Sequence, residues 1–537
     1  MPFFTNKYLV FRIIYMKKKC ISLLILPCLL SGCTHGIKLE HVKYQPYYGE
    51  ELMVEDHSNP LFNREKETTP VTHKYGTANS LSEMLNDFKS GHSRESIPTT
   101  GDRKLLVVPI SFTDSDKTDQ DKKEIFLKNA FFGANDHTNY YSVAGYYNAS
   151  SYGQLRIDGE VAPWYNSDQS SSQAANYSGS YMDASSILVE KAIDALRESD
   201  FDLSKYDTDN DGNIDGVYAI YDHPFNKGEE KNNLFWAYTH YTYPGDHSLN
   251  TEEPYLNGYS WTSIDTILQK DNRSYTNYLI HETGHLLGLT DYYNTKYKEG
   301  DNDFHFQPTG CFDMMDYNIG DHSSFSKYLF KWSSPMVVKS GVEGTVKLKP
   351  FTTSGEYILV PSAKYNNSPF SEYLLIEYFA PTGLNKFSGA YSYTDANGKS
   401  GVYKYPQWYG LRIYHVNATL GYFKTNLMSQ CICTIDDPNW ESKIGTDAVG
   451  LDFAYSNTIK DSDVGRVPVL VHLLESSGKN TFKDYIPANN NTLFTAGDDF
   501  GITKFTDFTF SDGNKPNFKL KVKSLSTKDI TIEISTK

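Results

Sequence analysis

The chain has 537 residues, 22% of them charged and 39% apolar, with a formal net charge of −15. That length exceeds one hydrophobic core and predicts two or three domains. The acidic balance excludes nucleic-acid binding, which needs a basic patch, and suits an exported soluble protein or a cation binder.

The first recognisable element is a leader. Met16-Lys-Lys-Lys19 is a basic start, Ile21 to Leu30 is apolar, and Ser31-Gly32-Cys33 closes it. The apolar run is too short to span a bilayer and reads as an export signal. Leu30-Ser31-Gly32-Cys33 resembles the bacterial lipobox, which implies cleavage before Cys33, acylation of its thiol and attachment to the membrane through that lipid. The plainer alternative is an ordinary secretion signal with a chance cysteine. Residues 1–33 are therefore assigned as a lipoprotein-type signal whose true start is Met16, with 1–15 an over-extended beginning.

Residues 34–102 are polar and form an amino-terminal segment or propeptide. Ser80-Leu-Ser-Glu83 reads as a capping box opening a helix with Leu81, Met84, Leu85 and Phe88 on one face. Lys104–Phe112 reads as a strand and begins a domain assigned to 103–335. Ser142–Ile157 reads as a helix, a glycine stop and a strand, and 184–198 as a second helix with Leu188, Ala192, Ala195 and Leu196 on one face. A two-layer α/β arrangement follows, with the next helix packed across the sheet.

Between these lies Asp207-Thr-Asp209-Asn-Asp211-Gly212-Asn213-Ile-Asp215. Alternating carboxylates with glycine at the sixth place match the first half of a calcium loop. Tyr218 occupies the twelfth place, where an EF-hand has a bidentate Glu, so any calcium held by Asp207, Asp209, Asp211 and Asp215 needs further ligands. An acidic turn before a strand is the simpler alternative.

The chemistry concentrates in Tyr278-Leu-Ile-His281-Glu282-Thr-Gly-His285-Leu-Leu-Gly288-Leu-Thr-Asp291. Residues four apart share a helix face, so His281 and His285 can grip one metal ion. Glu282, one residue after the first ligand, sits beside that ion as a base rather than a ligand. Gly288 can end the helix in a left-handed conformation. The returning chain then offers Asp291 in the layout H-E-x-x-H-x-x-G-x-x-ligand. Zinc suits such a site. Asp313, Asp316 or a tyrosine compete for the third position, and Asp291 could instead orient a ligand histidine. Downstream, Met315 and Tyr317 have the spacing of a Met-turn whose tyrosine could stabilise an oxyanion, though ordinary core residues share that spacing.

From about Pro335 the texture changes to short strand-like runs, among them Thr345–Leu348, Tyr357–Val360, Tyr373–Tyr378, Leu411–Val416, Val467–Leu474, Phe518–Val522 and Ile530–Ile534. Residues 336–537 are expected to form a β-rich region of the β-sandwich type. Six cysteines occur, three of them in the leader; Cys431 and Cys433, one residue apart, would be strained as a mutual disulfide. The absence of Cys-x-x-Cys rules out a structural cysteine zinc site.

Several blocks in order resemble the immune inhibitor A family of secreted bacterial zinc metallopeptidases: Leu105–Phe112, Ser142–Trp164, 207–216, His281–Tyr293 and Gly310–Trp332, with Asp321-His322 and Ser326-Lys327. Tyr373–Tyr378 and Gly410–Val416 extend the likeness, which covers roughly 103–480. The resemblance implies an α+β chain with a metzincin-like catalytic domain, export, protein or peptide substrates and often calcium. On that reading His281, His285 and Asp291 hold zinc, Glu282 is the general base and Tyr317 assists. The competing expectation is a surface adhesin with a non-proteolytic metal site, against which the retained Glu282 speaks.

Overall fold

The computed structural model describes residues 44–47, 60–63 and 96–536, apart from 178–179, 226–233, 242–250, 269–272, 296–305, 317, 389–390, 395–399, 404–407, 425–426, 446–448 and 485. The leader with Cys33, the helix expected from Ser80, and Tyr317 lie outside the described residues. Two compact units emerge, one containing Arg94–Thr290 and the other Asp291–Lys537.

The first unit is built on a mixed sheet. Its principal strands are β1 (Gly101–Ser111), β2 (Leu155–Val161), β3 (Val217–Tyr221), β4 (Tyr238–Tyr241) and β5 (Gly258–Ser263), in the order β2-β1-β3-β5-β4. The short strand Tyr165–Asn166 also pairs with β1. β1 runs parallel to β2 and β3, and β3 to β5, whereas β4 at the edge is antiparallel. Parallel neighbours need crossover connections. Helices α1 (Gln120–Phe132) and α2 (Val143–Ser150) link β1 to β2, and α3 (Tyr181–Glu198) lies between β2 and β3.

Both faces of this sheet are covered, where the sequence suggested two layers. Leu105 to Ile110 includes five apolar residues at 0% exposure on alternating sides, and a parallel strand buried on both faces needs an element on each. One set, Leu106, Val108, Val217, Ala219 and Tyr221, packs with Leu188, Val189, Ala192 and Ile193 of α3. On the other, Tyr218 meets Phe131 of α1, with ring centroids 4.8 Å apart, and α4 (Asn277–Leu286). Both α3 and the short helix Ser171–Ala175 open with capping boxes, Ser180 with Asp183 and Ser170 with Gln173.

The second unit contains helix α5 (Ser324–Leu329) and two larger sheets. Strands β6 (Met336–Val338), β8 (Tyr357–Pro361), β9 (Glu372–Phe379), β10 (Gly410–Asn417) and β11 (Val471–Leu474) follow one another across the first, which Phe62–Asn63 edges. The second comprises β7 (Glu343–Leu348), β14 (Ile530–Ser535), β13 (Lys519–Leu525) and β12 (Asp499–Phe500). Ile358, Leu374, Ile376 and Ile413 of the one share a core with Val346, Leu520, Val522 and Ile532 of the other. Alternation along β14, with Ile530, Ile532 and Ile534 buried, supplies one apolar face. Buried charges here are paired: Lys327 Nζ lies 2.6 Å from Asp321, both side chains at 0% exposure, and Arg412 pairs with Glu377. Cys431 and Cys433 are free thiols.

Candidate metal centre

Helix α4 carries the histidines, and its end is fully bonded. Gly288 sits at φ 97°, the left-handed region that a glycine enters without a Cβ clash. The N–H of Leu289 donates to Gly284 (2.9 Å) and that of Gly288 to His285 (2.7 Å), the paired bonds of a Schellman motif. The carbonyl of Leu286 accepts from the N–H groups of both Ser96 and Ile97, at 2.7 and 3.0 Å, and Tyr241 Oη donates to that of His285. The last-turn carbonyls that a helix leaves unpaired are thereby satisfied.

Hydroxyls from α2 and from the sheet beneath hold the same helix. Tyr147 Oη donates to the carbonyl of Ile280 at 2.7 Å and Tyr218 Oη to that of Leu279 at 2.6 Å. Burial pushes the Tyr218 phenol well above its ordinary value, and the charge of Glu282 adds to the shift, so Tyr218 stays a donor.

This scaffold brings His281, His285 and Asp291 together, with one ligand atom from each lying within 4.8 Å of the others. The helix turn aligns the two rings, whose centroids are 5.0 Å apart. His285 Nδ1 lies 2.8 Å from the carbonyl of Leu289, in the turn that Gly288 creates. An Nδ1–H donated there leaves Nε2 as the lone-pair nitrogen for a metal. Immediately after Asp291, the N–H of Tyr292 donates to the carbonyl of Met315 at 2.7 Å, and Asn457 Nδ2 donates to the carbonyl of Tyr292 at 2.8 Å. Two imidazoles and a carboxylate form a mixed N/O set that suits zinc. The competing carboxylates stand outside this cluster: Asp313 Oδ1 accepts from the N–H of Met315 at 2.9 Å, and Asp316 accepts from Thr309 Oγ1.

Glu282, 8% exposed like His281, is held from the edge strand. Thr239 Oγ1 donates to Glu282 Oε2 at 2.8 Å and stands 2.7 Å from Ser260 Oγ. Neither residue carries a local sequence signal, since Thr239 lies 43 positions before Glu282. Only strand pairing brings them together.

The acidic loop forms a second cluster from Asp207, Asp209 and Asp215, again with ligand atoms within 4.8 Å. Asp211 turns away to accept from the N–H of Asn213 (2.8 Å) and from its Nδ2 (3.0 Å). Asp207 accepts from the N–H groups of Asp211 and Gly212, both at 3.0 Å. Thr208 donates to Asp215, and Arg103 Nη1 donates to Thr208 Oγ1 at 2.7 Å. Burial pushes Asp215 up to about 7, with Asp209 adding to the shift. Asp209 is itself raised, first by burial and then by Asp211. The donor set is all oxygen and anionic, which suits a hard cation.

The family description of the immune inhibitor A peptidase M6 catalytic domain matches residues 111–316. No curated protein matches the chain. The matched span includes the acidic loop, the edge strand, α4 and the turn around Met315.

Proposed function

Through residues 111–316 this chain belongs to the immune inhibitor A family of metallopeptidases, and from that premise we propose that it is a zinc-dependent endopeptidase acting on extracellular proteins or peptides. The observation that carries the reading is the meeting of His281, His285 and Asp291 with Glu282 fixed beside them. A zinc ion in that set supplies Lewis-acid polarisation of water and of the scissile carbonyl. Glu282 removes a proton from the attacking water and returns it to the leaving amine. The Leu289 carbonyl keeps His285 in the tautomer whose Nε2 faces a metal. Tyr317 keeps its proposed part in oxyanion stabilisation on spacing alone.

Calcium in the 207–215 loop is part of the same proposal, supported by three converging carboxylates, of which Asp209 and Asp215 are pushed upward by burial and by neighbouring carboxylates. So is export with acylation at Cys33, which rests on the leader sequence; stable retention then needs more than one acyl chain. The β-sandwich-type reading of residues 336–537 is supported by the apolar core that its two larger sheets share.

The test is cleavage of casein by the purified protein, with zinc measured in parallel. Cleavage abolished by a chelator and restored by zinc supports the endopeptidase. A protein that binds zinc stoichiometrically and cleaves neither casein nor gelatin would instead be the adhesin-type alternative.

A further inference from the structure

One row of hydroxyls crosses the sheet under α4. Pairing sets Tyr218 of β3 opposite Ser260 of β5, and Ser260 opposite Thr239 of β4. Directly paired residues point to one face of a sheet, so all three present their hydroxyls to the same helix. Tyr218 reaches the carbonyl of Leu279 and stands 3.3 Å from Thr283 Oγ1. Thr239 Oγ1 reaches both the Oε2 of Glu282, at 2.8 Å, and its carbonyl, at 3.3 Å. Ser260, at 0% exposure, stands behind Thr239 at 2.7 Å.

A carboxylate only accepts hydrogen bonds, so the Thr239 hydroxyl is the donor to Glu282, and Ser260 is the donor to Thr239. Such a bond to an ionised acceptor is short and stronger than a neutral one. It also commits Oε2, leaving Oε1 to face the reacting water. A glutamate has three side-chain torsions, and proton transfer demands placement within hydrogen-bond reach. β-Branched threonine is ordinary on a strand, but valine would fill that packing role equally, and only a hydroxyl can make this contact.

We propose that Thr239, backed by Ser260, is a positioning residue that fixes the rotamer of Glu282 for proton transfer. The proposal rests on Glu282 being the base. It is tested in the zinc-loaded full chain with Thr239→Val, Thr239→Ser and Glu282→Gln side by side. Thr239→Val should lower kcat about 10- to 100-fold with KM within about twofold. Zinc content and melting temperature should stay at wild-type values, and a crystal structure should show the Glu282 carboxylate turned from its wild-type rotamer. Thr239→Ser should recover most of kcat. If the valine variant does not fold, Thr239→Ala carries the same expectation. Wild-type kcat in the valine or alanine variant, or equal damage in the serine variant, overturns the positioning role. If Glu282→Gln itself remains active, the base assignment fails first, and that outcome is distinct from loss in Glu282→Gln with none in Thr239→Val.

Discussion

The helix site and the acidic loop each bring three ligand groups within 4.8 Å, yet they do so by opposite means. At α4 two imidazoles are joined by the Asp291 carboxylate, and bonds from α2, from β3 and from a Schellman turn hold the helix in place. The set carries little charge of its own and can stay assembled without a cation. In the loop three carboxylates converge on backbone N–H groups and Thr208, and proximity with burial raises Asp209 and Asp215. That set is comfortable only with protons or a cation in its midst. On the proposed reading the first site presents a metal to chemistry, and the second is stabilised by one.

The largest effect expected separates the two sites by function. Glu282→Gln should cut proteolysis by about 10³-fold or more while zinc content stays intact, since it removes the base and no ligand. Changes at Asp209 or Asp215 should leave the turnover of folded, zinc-loaded protein near wild type. Strong loss of kcat there, without loss of zinc or of stability, would erase the distinction.

Metal retention gives the next contrast. Asp291→Ala should lose zinc on dialysis against a mild chelator, because it removes one of three donors. Asp316→Ala should keep zinc, since that carboxylate is committed to Thr309. Full zinc occupancy in Asp291→Ala, measured by metal analysis, would remove Asp291 from the ligand set.

Calcium should act on stability alone. At about 100 times its Kd it should raise the melting temperature of the unit that holds the loop by about 5–10 °C in zinc-loaded protein. The shift should vanish in Asp209→Asn and persist in Asp211→Ala, whose carboxylate is turned onto Asn213. An unchanged melting curve would reduce the loop to an acidic turn.

A last contrast is the pH dependence of calcium-free protein. The Asp215 carboxyl is pushed from 3.8 in the unfolded chain to about 7 in the fold. The unfolded chain therefore releases this proton first. The destabilisation is absent below about pH 4, grows as pH rises, and is complete above about pH 7. Asp215→Asn should flatten this part of the melting-temperature profile, and calcium should do the same to wild-type protein. Parallel profiles with and without calcium would contradict it.

Much of the metal centre was legible because it is local. His281 and His285 lie one helix turn apart, and Gly288 marks the turn that brings Asp291 back, so ten residues specify it without a fold. The strands were legible to within a residue or two where apolar residues alternate or cluster, as at Tyr357–Pro361 and Ile530–Ser535. The acidic loop was only partly legible: its spacing named four carboxylates, and Asp211 turned out to satisfy its own turn through Asn213. Nothing in the spacing distinguishes a carboxylate that faces an ion from one that closes an Asx-type turn.

By itself, then, the sequence displayed the features on which the proposed chemistry rests: two histidines one turn apart, a glycine that stops the helix, and a glutamate next to the first histidine as the proposed base. The tertiary structure alone decided how that base is held. The row Tyr218, Ser260 and Thr239 comes from three strands whose neighbours depend on pairing register, and a shift of one residue would turn each hydroxyl to the opposite face. Which carboxylate joins the two histidines was likewise a tertiary matter: Asp291 lies in their cluster, and Asp313 and Asp316 do not.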